Sequence, residues 1–398
     1  MHENPEKLHI LHIPRWYPNA EDPMPGLFVK YHAESLSNRC DNSVLYLHFT
    51  TNRQDLFAED TKLENGVFCH TIYIRKATSK SGQVNQILNS ARFLKAFIKG
   101  YRLIRSNRGK PHLSHAHVLT RPGIPALLLR WFCGIPYLVS EHWSRYFPGH
   151  DNYKGLVRHA ITRLVLKKSE ALLCVSASLR QAMQEKGLDH KNYFTVPNVT
   201  DTGLFKPSAG KKPSDKIRLI HISCFEDRSK NIAGLLNAIR IVRNKGHQVS
   251  LQLVGEGADK QEMEKLAATL GLFEDQTVVF SGLLQASEVA EALQQSDFLI
   301  QTSHYETFST VVIESFACGI PVISTPVGIF PEIYESGLGI MIPSTANEDI
   351  ANSIVEAIAM KSSFDPGLMR EIAVQRFSNE SVGRLLLDIY VQSLKKSK

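Results

Sequence analysis

The chain has 398 residues, of which 43% are hydrophobic and 21% charged, and a formal net charge of +7. This is a globular composition, too long for one ordinary core and suited to two domains of roughly 150 to 200 residues. No run approaches the roughly 18 uninterrupted apolar residues needed to span a bilayer. The six cysteines never form the close pairs of zinc or redox sites, so they read as buried, reduced thiols.

In chain order, the N-terminal MHENPEKLHILHIPRWYP carries acids and has no long apolar core, so no secretory signal is read and a cytosolic product is expected. The runs KLHILHI, SVLYLHF, HLSHAHV, PYLVS and ALLCVS predict strands in the first half. His115 and His117 have ligand spacing, but no Cys or carboxylate cluster accompanies them, and no metal site is expected. Residues 1–205 hold 27 Lys+Arg against 16 Asp+Glu, leaving 19 against 23 for the remainder. The two halves should therefore meet different partners. No acid occurs between Glu64 and Glu141, and within that gap Arg92, Lys95, Lys99 and Arg102 recur at helical spacing beside Phe93, Phe97 and Ile98. Such a basic amphipathic helix, spanning residues 92–110, either contacts an anionic membrane surface or is a core helix with a basic solvated face. Nucleic acid ranks last, because no recognisable nucleic-acid motif accompanies the charge.

Residues 196–216, VPNVTDTGLFKPSAGKKPSDK, accumulate Pro, Gly, Ser and Lys and read as the seam, with the boundary near 206. Beyond it, IRLIHIS, SLQLVG, TVVFSG, DFLIQTS and PVISTP predict strands, alternating with helical segments such as IAGLLNAIRIVRNKG. This alternation implies parallel sheets covered by helices on both faces. The expected fold class is α/β, two Rossmann-like doubly wound domains facing across a cleft. They comprise an acceptor-binding domain over 1–205 and a donor-binding domain over 206–375, followed by a C-terminal helix over 376–398 that packs back toward the first domain.

The chemistry concentrates in HYETFSTVVIESFACGIPVIST, residues 304–325. A helix should begin near Ser309, where free backbone N–H groups and hydroxyls at Thr307, Ser309 and Thr310 favour an anion. Glu306 lies at its mouth and Glu314 about one and a half turns in, amid apolar neighbours, where a carboxylate needs a partner. A nucleotide sugar matches this pattern, since carboxylates accept hydrogen bonds from vicinal hydroxyls. The alternatives are a helix-mouth acid at Glu306 and an ion-paired Glu314. In HISCFEDRSKNIAGLL, a loop after a strand carries Arg228 and Lys230, cations suited to a departing diphosphate or, more simply, exposed loop charges.

The Glu306-to-Glu314 spacing, followed by SFACGIPVISTPVGIFPEI, does not stand alone. Together with SKNIAGLLNAI, LQLVGEGADKQEME, VVFSGLL, VPNVTDTGLFKP and YPNAEDPMPGLFVKYHAESL, it resembles the retaining glycosyltransferases of family 4, which have the GT-B fold. The resemblance covers nearly the whole chain. It implies that Glu306 contacts donor-sugar hydroxyls, that the backbone of Thr307, Phe308 and Ser309 lines the same pocket, and that Thr310 and Val311 present amides to the diphosphate. It further implies that Glu314 binds ribose, that the backbone at Gly282 and Leu283 holds the base, and that Lys230 binds phosphate. Gly26 matches the small residue that lets the first loop approach the donor phosphate, and His142 a histidine that reaches the transferred sugar or the acceptor. Cys224 stands where the family usually has arginine, a role that falls to Arg228, and Gly328-Ile329 replaces the usual Gly-Gly. VGEGADK imitates a dinucleotide fingerprint but lacks the third glycine, so no NAD site is expected.

The expected activity is transfer of a sugar from a nucleotide diphosphate donor to a glycan or lipid-linked acceptor, with retained configuration and without cofactor or metal. Assembly of surface polysaccharide or lipopolysaccharide at the inner membrane face is the expected setting. The rival readings are a nucleotide-sugar epimerase of the same fold and a non-catalytic sugar-nucleotide-binding protein.

Overall fold

The structure, a computed structural model, describes residues 7–148, 153–208, 210, 212, 214–335 and 337–396. Residues 1–6 of the expected N-terminal stretch, 209, 211 and 213 of the expected seam, and 397–398 of the C-terminal segment lie outside the described residues. Two compact units divide the chain: residues 1–175, 179–199 and 382–398 form the N-terminal unit, and residues 176–178 and 200–381 the C-terminal unit.

The N-terminal unit is built on β1 (His9–Pro14), β2 (Asp41–Thr50), β3 (Phe57–Glu64), β4 (Val67–Arg75), β5 (Leu113–His117), β6 (Tyr137–Glu141), β7 (Leu172–Cys174) and β8 (Tyr193–Thr195). Their order is β3-β4-β2-β1-β5-β6-β7-β8. Every residue of β1, β5 and β6 is buried, as expected for parallel strands covered on both faces. The chain reverses its direction of growth between β1 and β5. Ligands of doubly wound sheets sit outside the strand ends at such a switch point.

β3, β4 and β8 were not among the expected strands. β3 runs antiparallel to β4, joined by Asn65-Gly66 with φ of 48° and 79°. Two positive φ values make the mirror-image two-residue turn that Asn-Gly favours, so the hairpin carried a signal in the sequence.

The C-terminal unit contains β9 (Ile217–Ile222), β10 (Val249–Val254), β11 (Val278–Gly282), β12 (Phe298–Gln301), β13 (Val322–Ser324) and β14 (Gly339–Met341), ordered β11-β10-β9-β12-β13-β14 and parallel throughout. β14 was also unexpected. The switch point here lies between β9 and β12, whose pairing ends at Leu299↔Ile220 and leaves the strand ends apart.

The expected boundary near 206 moves to Val199–Thr200. Arg370 is the reason: its guanidinium donates to the carbonyls of Thr202 (2.7 Å), Phe205 (2.7 Å) and Ala317 (3.0 Å), fastening residues 200–205 to the C-terminal unit. The last helix, Asn379–Lys396, returns Val382, Leu386, Ile389 and Tyr390 to a core cluster containing Ile10, Leu113 and Leu138 of the N-terminal unit. This i, i+4, i+7, i+8 spacing is a helical apolar stripe. Gly383 permits the approach, since a Cβ there would lie 2.2 Å from the Ser35 carbonyl oxygen.

Candidate functional site

The C-terminal unit places its polar groups at the switch point. β9 is followed by a helical turn, Asp227–Lys230, and β12 by the segment that carries Glu306. Arg228 and Lys230 therefore sit on a turn of helix rather than on the open loop expected. Lys230 Nζ lies 2.5 Å from Glu306 Oε1, and both side chains are mostly buried. Burial works against the lysine charge, but the Glu306 carboxylate more than offsets it and raises the Lys230 pKa. The same Oε1 accepts from Ser303 Oγ (2.9 Å) and Gln301 Nε2 (3.1 Å). Arg228 is exposed.

Gln301 Nε2 also donates to Ser309 Oγ at 3.0 Å. Ser309 holds a left-handed conformation, φ 71° and ψ 68°, immediately before the helix Thr310–Ala317, and its hydroxyl does not cap that helix. A non-glycine residue there stores strain that the surroundings must impose. Gly328 supplies one constraint: a Cβ would lie 2.5 Å from the Phe308 carbonyl oxygen and 2.6 Å from Ser309 Oγ. The first amides of the helix, at Thr310 and Val311, have no acceptor within it. Thr307 is partly exposed, whereas Phe308 is buried against Phe377.

Glu314 lies on this helix, partly exposed, and no hydrogen bond or ion pair reaches its carboxylate among the described residues. The partner expected inside the protein is not found among these residues, and burial pushes its pKa up to about 7. Gly282 ends β11 with φ 67°, and Leu283 is 68% exposed. The glycines of VGEGADK serve packing: a Cβ on Gly255 would lie 1.8 Å from the Ser223 carbonyl oxygen, and one on Gly257 2.3 Å from that of Phe225.

In the N-terminal unit, Gly26 precedes the helix Leu27–Ser35 with φ 79°, and a Cβ there would lie 2.1 Å from the Trp16 carbonyl oxygen. His142 follows β6 and is buried, its ring 4.5 Å from that of Phe28. The preceding Glu141 is fully buried and accepts from the amides of Leu119, His142 and Trp143 and from the Tyr146 hydroxyl. Burial outweighs those bonds and raises its pKa.

His142 ends a chain of hydrogen bonds whose directions follow from the far end. The Cys40 carbonyl only accepts, so Asn42 turns Nδ2 toward it (3.3 Å) and Oδ1 toward His12 Nε2 (3.3 Å). His12 must donate from Nε2, leaving Nδ1 to accept from His117 Nε2 at 3.1 Å. His117 Nδ1 then accepts from His142 Nε2 at 3.5 Å. Burial keeps all three rings neutral, with His12 lowered to about 4 and His117 and His142 well below 6.5. His142 Nδ1 is thereby left as a lone pair, buried and unpartnered among the described residues, and fit to accept from a hydroxyl.

His115 and His117 thus have company that the sequence did not reveal. His12, His115 and His117 bring ligand-capable nitrogens within 4.8 Å of one another, as do His32, His117 and His142. Sequence reasoning also missed Gln301, Ser303 and Asn42; a polar residue at the buried end of an apolar strand, as in FLIQ, was the available signal.

Two α/β units on largely parallel sheets match the GT-B class of glycosyltransferase folds. Sucrose-phosphate synthase from Thermosynechococcus elongatus superposes with a TM-score of 0.75 at 19% identity, over 97% of this chain and 99% of that one. Anabaena HepE, solved with UDP and glucose, gives 0.72 at 17% identity over 97% and 100%. In sequence, 265 residues are 24% identical to a subunit of the phosphatidylinositol N-acetylglucosaminyltransferase of Arabidopsis thaliana, covering 66% of this chain and 58% of that protein. Another 32% identity over 185 residues links N-acetyl-alpha-D-glucosaminyl L-malate synthase of Bacillus anthracis, covering 44% and 47%. The chain spans about half the length of these two relatives. Residues 205–367 match the family described as glycosyl transferases group 1, and residues 58–199 the glycosyl transferase 4-like domain. The chain thus resembles a glycosyl transferase family model in each of its two halves.

Proposed function

We propose that this protein transfers a sugar, with retained anomeric configuration, from a nucleoside diphosphate sugar to a hydroxyl of a glycan or lipid-linked acceptor. The observation that carries the reading is the 2.5 Å contact between Lys230 and Glu306 beside the strained start of the Thr310–Ala317 helix. It holds a cation ready for the diphosphate and a carboxylate ready for sugar hydroxyls. Glu314, with no partner among the described residues, takes the ribose diol. The sugar C1–O bond breaks with its electron pair passing to the phosphate oxygen, where Lys230, Arg228 and the amides of Thr310 and Val311 meet the charge. The acceptor oxygen bonds C1 on the same face, and its proton passes to that phosphate oxygen. Because protein cations meet the charge, the proposal includes no metal. HepE's UDP and glucose support this donor class.

The acceptor belongs to surface polysaccharide or lipopolysaccharide assembly, met by a protein held peripherally at the inner membrane face. No helix among the described residues is long and apolar enough to cross a membrane. On the helix Gly82–Arg108, Lys95, Arg102 and Arg105 are exposed beside Leu94 and Ile98, supporting contact with an anionic surface through residues 92–110. Three cations of that segment are otherwise engaged: Lys99 with Glu59, Arg108 with Asp41, and Arg92 with the Arg75 carbonyl.

The test incubates the protein with UDP-, GDP- and ADP-sugars, with and without membrane lipid extract, and follows nucleotide release and the anomeric configuration of the product. Release that depends on lipid extract and is lost in Glu306→Ala supports the proposal. Interconversion of the donor sugar without any acceptor would establish the epimerase instead.

A further inference from the structure

The switch point of the N-terminal unit is lined by arginines that make no ion pair among the described residues. β1, β5 and β6 are consecutive in the sheet, and each is followed closely by one: Arg15, Arg121 and Arg145. Arg145 lies with its guanidinium 3.2 Å from the Trp143 ring centroid, and Arg15 4.2 Å from the same ring and 5.0 Å from that of Trp16. Aromatic faces hold the guanidinium planes in place.

Among the described residues, none of the three makes an ion pair. Glu141, the acid that acts on Arg15 and Arg145, already accepts four hydrogen bonds and is fully buried. The Nε atoms of Arg15 and Arg145 are buried without an acceptor. Buried donors of that kind are costly to leave unmade, and a ligand oxygen would satisfy them. Burial, and then Arg121 and Arg145, lower the Arg15 pKa to about 10.

A cavity of about 340 Å³ opens beside them, lined by Arg15, Trp16, Phe49, Lys76, Asn89 and Arg121, among others. Arg121 is presented from a strained turn: it has φ 65°, and Val118 has φ 83°. Left-handed non-glycine residues persist where the surroundings impose them, commonly at ligand sites.

We propose that this cavity binds a phosphate ester carried by the acceptor, gripped by Arg15, Arg121 and Lys76, with the Trp143 ring, stacked by both Arg15 and Arg145, holding Arg15 in position. This rests on the glycosyltransferase reading, to which it adds the chemical class of the acceptor. The phosphate belongs either to a lipid-linked glycan or to a soluble sugar phosphate. A guanidinium fork suits either, because it pairs with two phosphate oxygens at once.

The experiment is run in a Lys230→Met background, which removes the donor-site cation, so that binding at the cavity is read separately from nucleotide binding. One arm titrates glucose 1-phosphate by calorimetry. The other measures recovery on phosphatidylcholine vesicles with and without phosphatidic acid. Binding in at least one arm is expected, weakened about tenfold or more by Arg15→Gln and by Arg121→Gln, the size expected for one charge-assisted bond. The glucose 1-phosphate arm identifies a soluble acceptor and the vesicle arm a lipid-borne one. Arg121→Gln changes an exposed side chain, and thermal unfolding of both variants checks folding. No binding in either arm, or binding equal in folded Arg15→Gln and Arg121→Gln, overturns the proposal. Nucleotide-sugar turnover failing in the protein that keeps Lys230, while the arginine-dependent binding persists, would instead overturn the donor reading.

Discussion

Replacing Glu314 with glutamine should stabilise the ligand-free protein more at high pH than at low pH. The carboxyl is pushed by burial from an ordinary 4.5 up to about 7, with no partner among the described residues. Between those values the folded state keeps a proton that the unfolded state has lost, so stability falls as pH rises from 4.5 through 7. The interval corresponds to about 3 kcal/mol at most; solvent at the partly exposed side chain reduces this to about 2 kcal/mol. Glu314→Gln removes the ionisation. The variant should gain about 2 kcal/mol over wild type at pH 8 and only about a quarter of that at pH 5. Urea unfolding followed by circular dichroism at both pH values measures the gain, and amide exchange locates it in the Thr310–Ala317 helix. A gain equal at pH 5 and pH 8 would refute the reasoning. The same ionisation should serve the donor, because ribose hydroxyls donate to a carboxylate. Nucleotide affinity should therefore rise from pH 5 to pH 8 in wild type and lose that component in Glu314→Gln.

Lys230→Met should lower turnover by about 10²- to 10³-fold, as expected for one group that stabilises leaving-group charge; nucleotide release at wild-type rate would remove Lys230 from the reaction. Gly26→Ala sets a Cβ 2.1 Å from the Trp16 carbonyl oxygen at φ 79°. It should cost about 1–3 kcal/mol or more of stability in urea titration, and an unchanged midpoint would contradict the close approach. Nitrogen-15 NMR of the imidazoles should find His142 neutral and protonated at Nε2, with that preference lost in Asn42→Leu, which removes the acceptor at the far end of the chain. An Nδ1-protonated or charged His142 at neutral pH in wild type would break the assigned directions.

The candidate donor site was legible to the extent that each residue answers to its immediate neighbours. Glu306, Ser309 and Glu314 could be placed around a helix start because strand, turn and helix follow one another in sequence. Lys230 was singled out on the far side of β9 for the same local reason. Its 2.5 Å approach to Glu306 needed the pairing of β9 with β12, which lie far apart in the chain. Gln301 went unread because a glutamine ending an apolar strand has a meaning only once its two acceptors are in place. Asn65-Gly66 is a different case, a local signal whose two positive φ values need only the two turn residues themselves.

By itself, then, the amino-acid sequence determined the alternation of strands and helices, the presence of two α/β units, the family resemblance and the residue types at the donor helix. These depend on period, turn chemistry and short spacing, all of which act over a few residues. The tertiary structure alone decided which groups share a proton or make no ion pair. It joined Asn42, His12, His117 and His142 into one directed chain, left Glu314 without a partner among the described residues, and gathered Arg15, Arg121 and Arg145 from three separate strand ends. Hydrogen bonding and Coulomb forces act through space, so groups a hundred residues apart become neighbours only when parallel strands set their ends side by side.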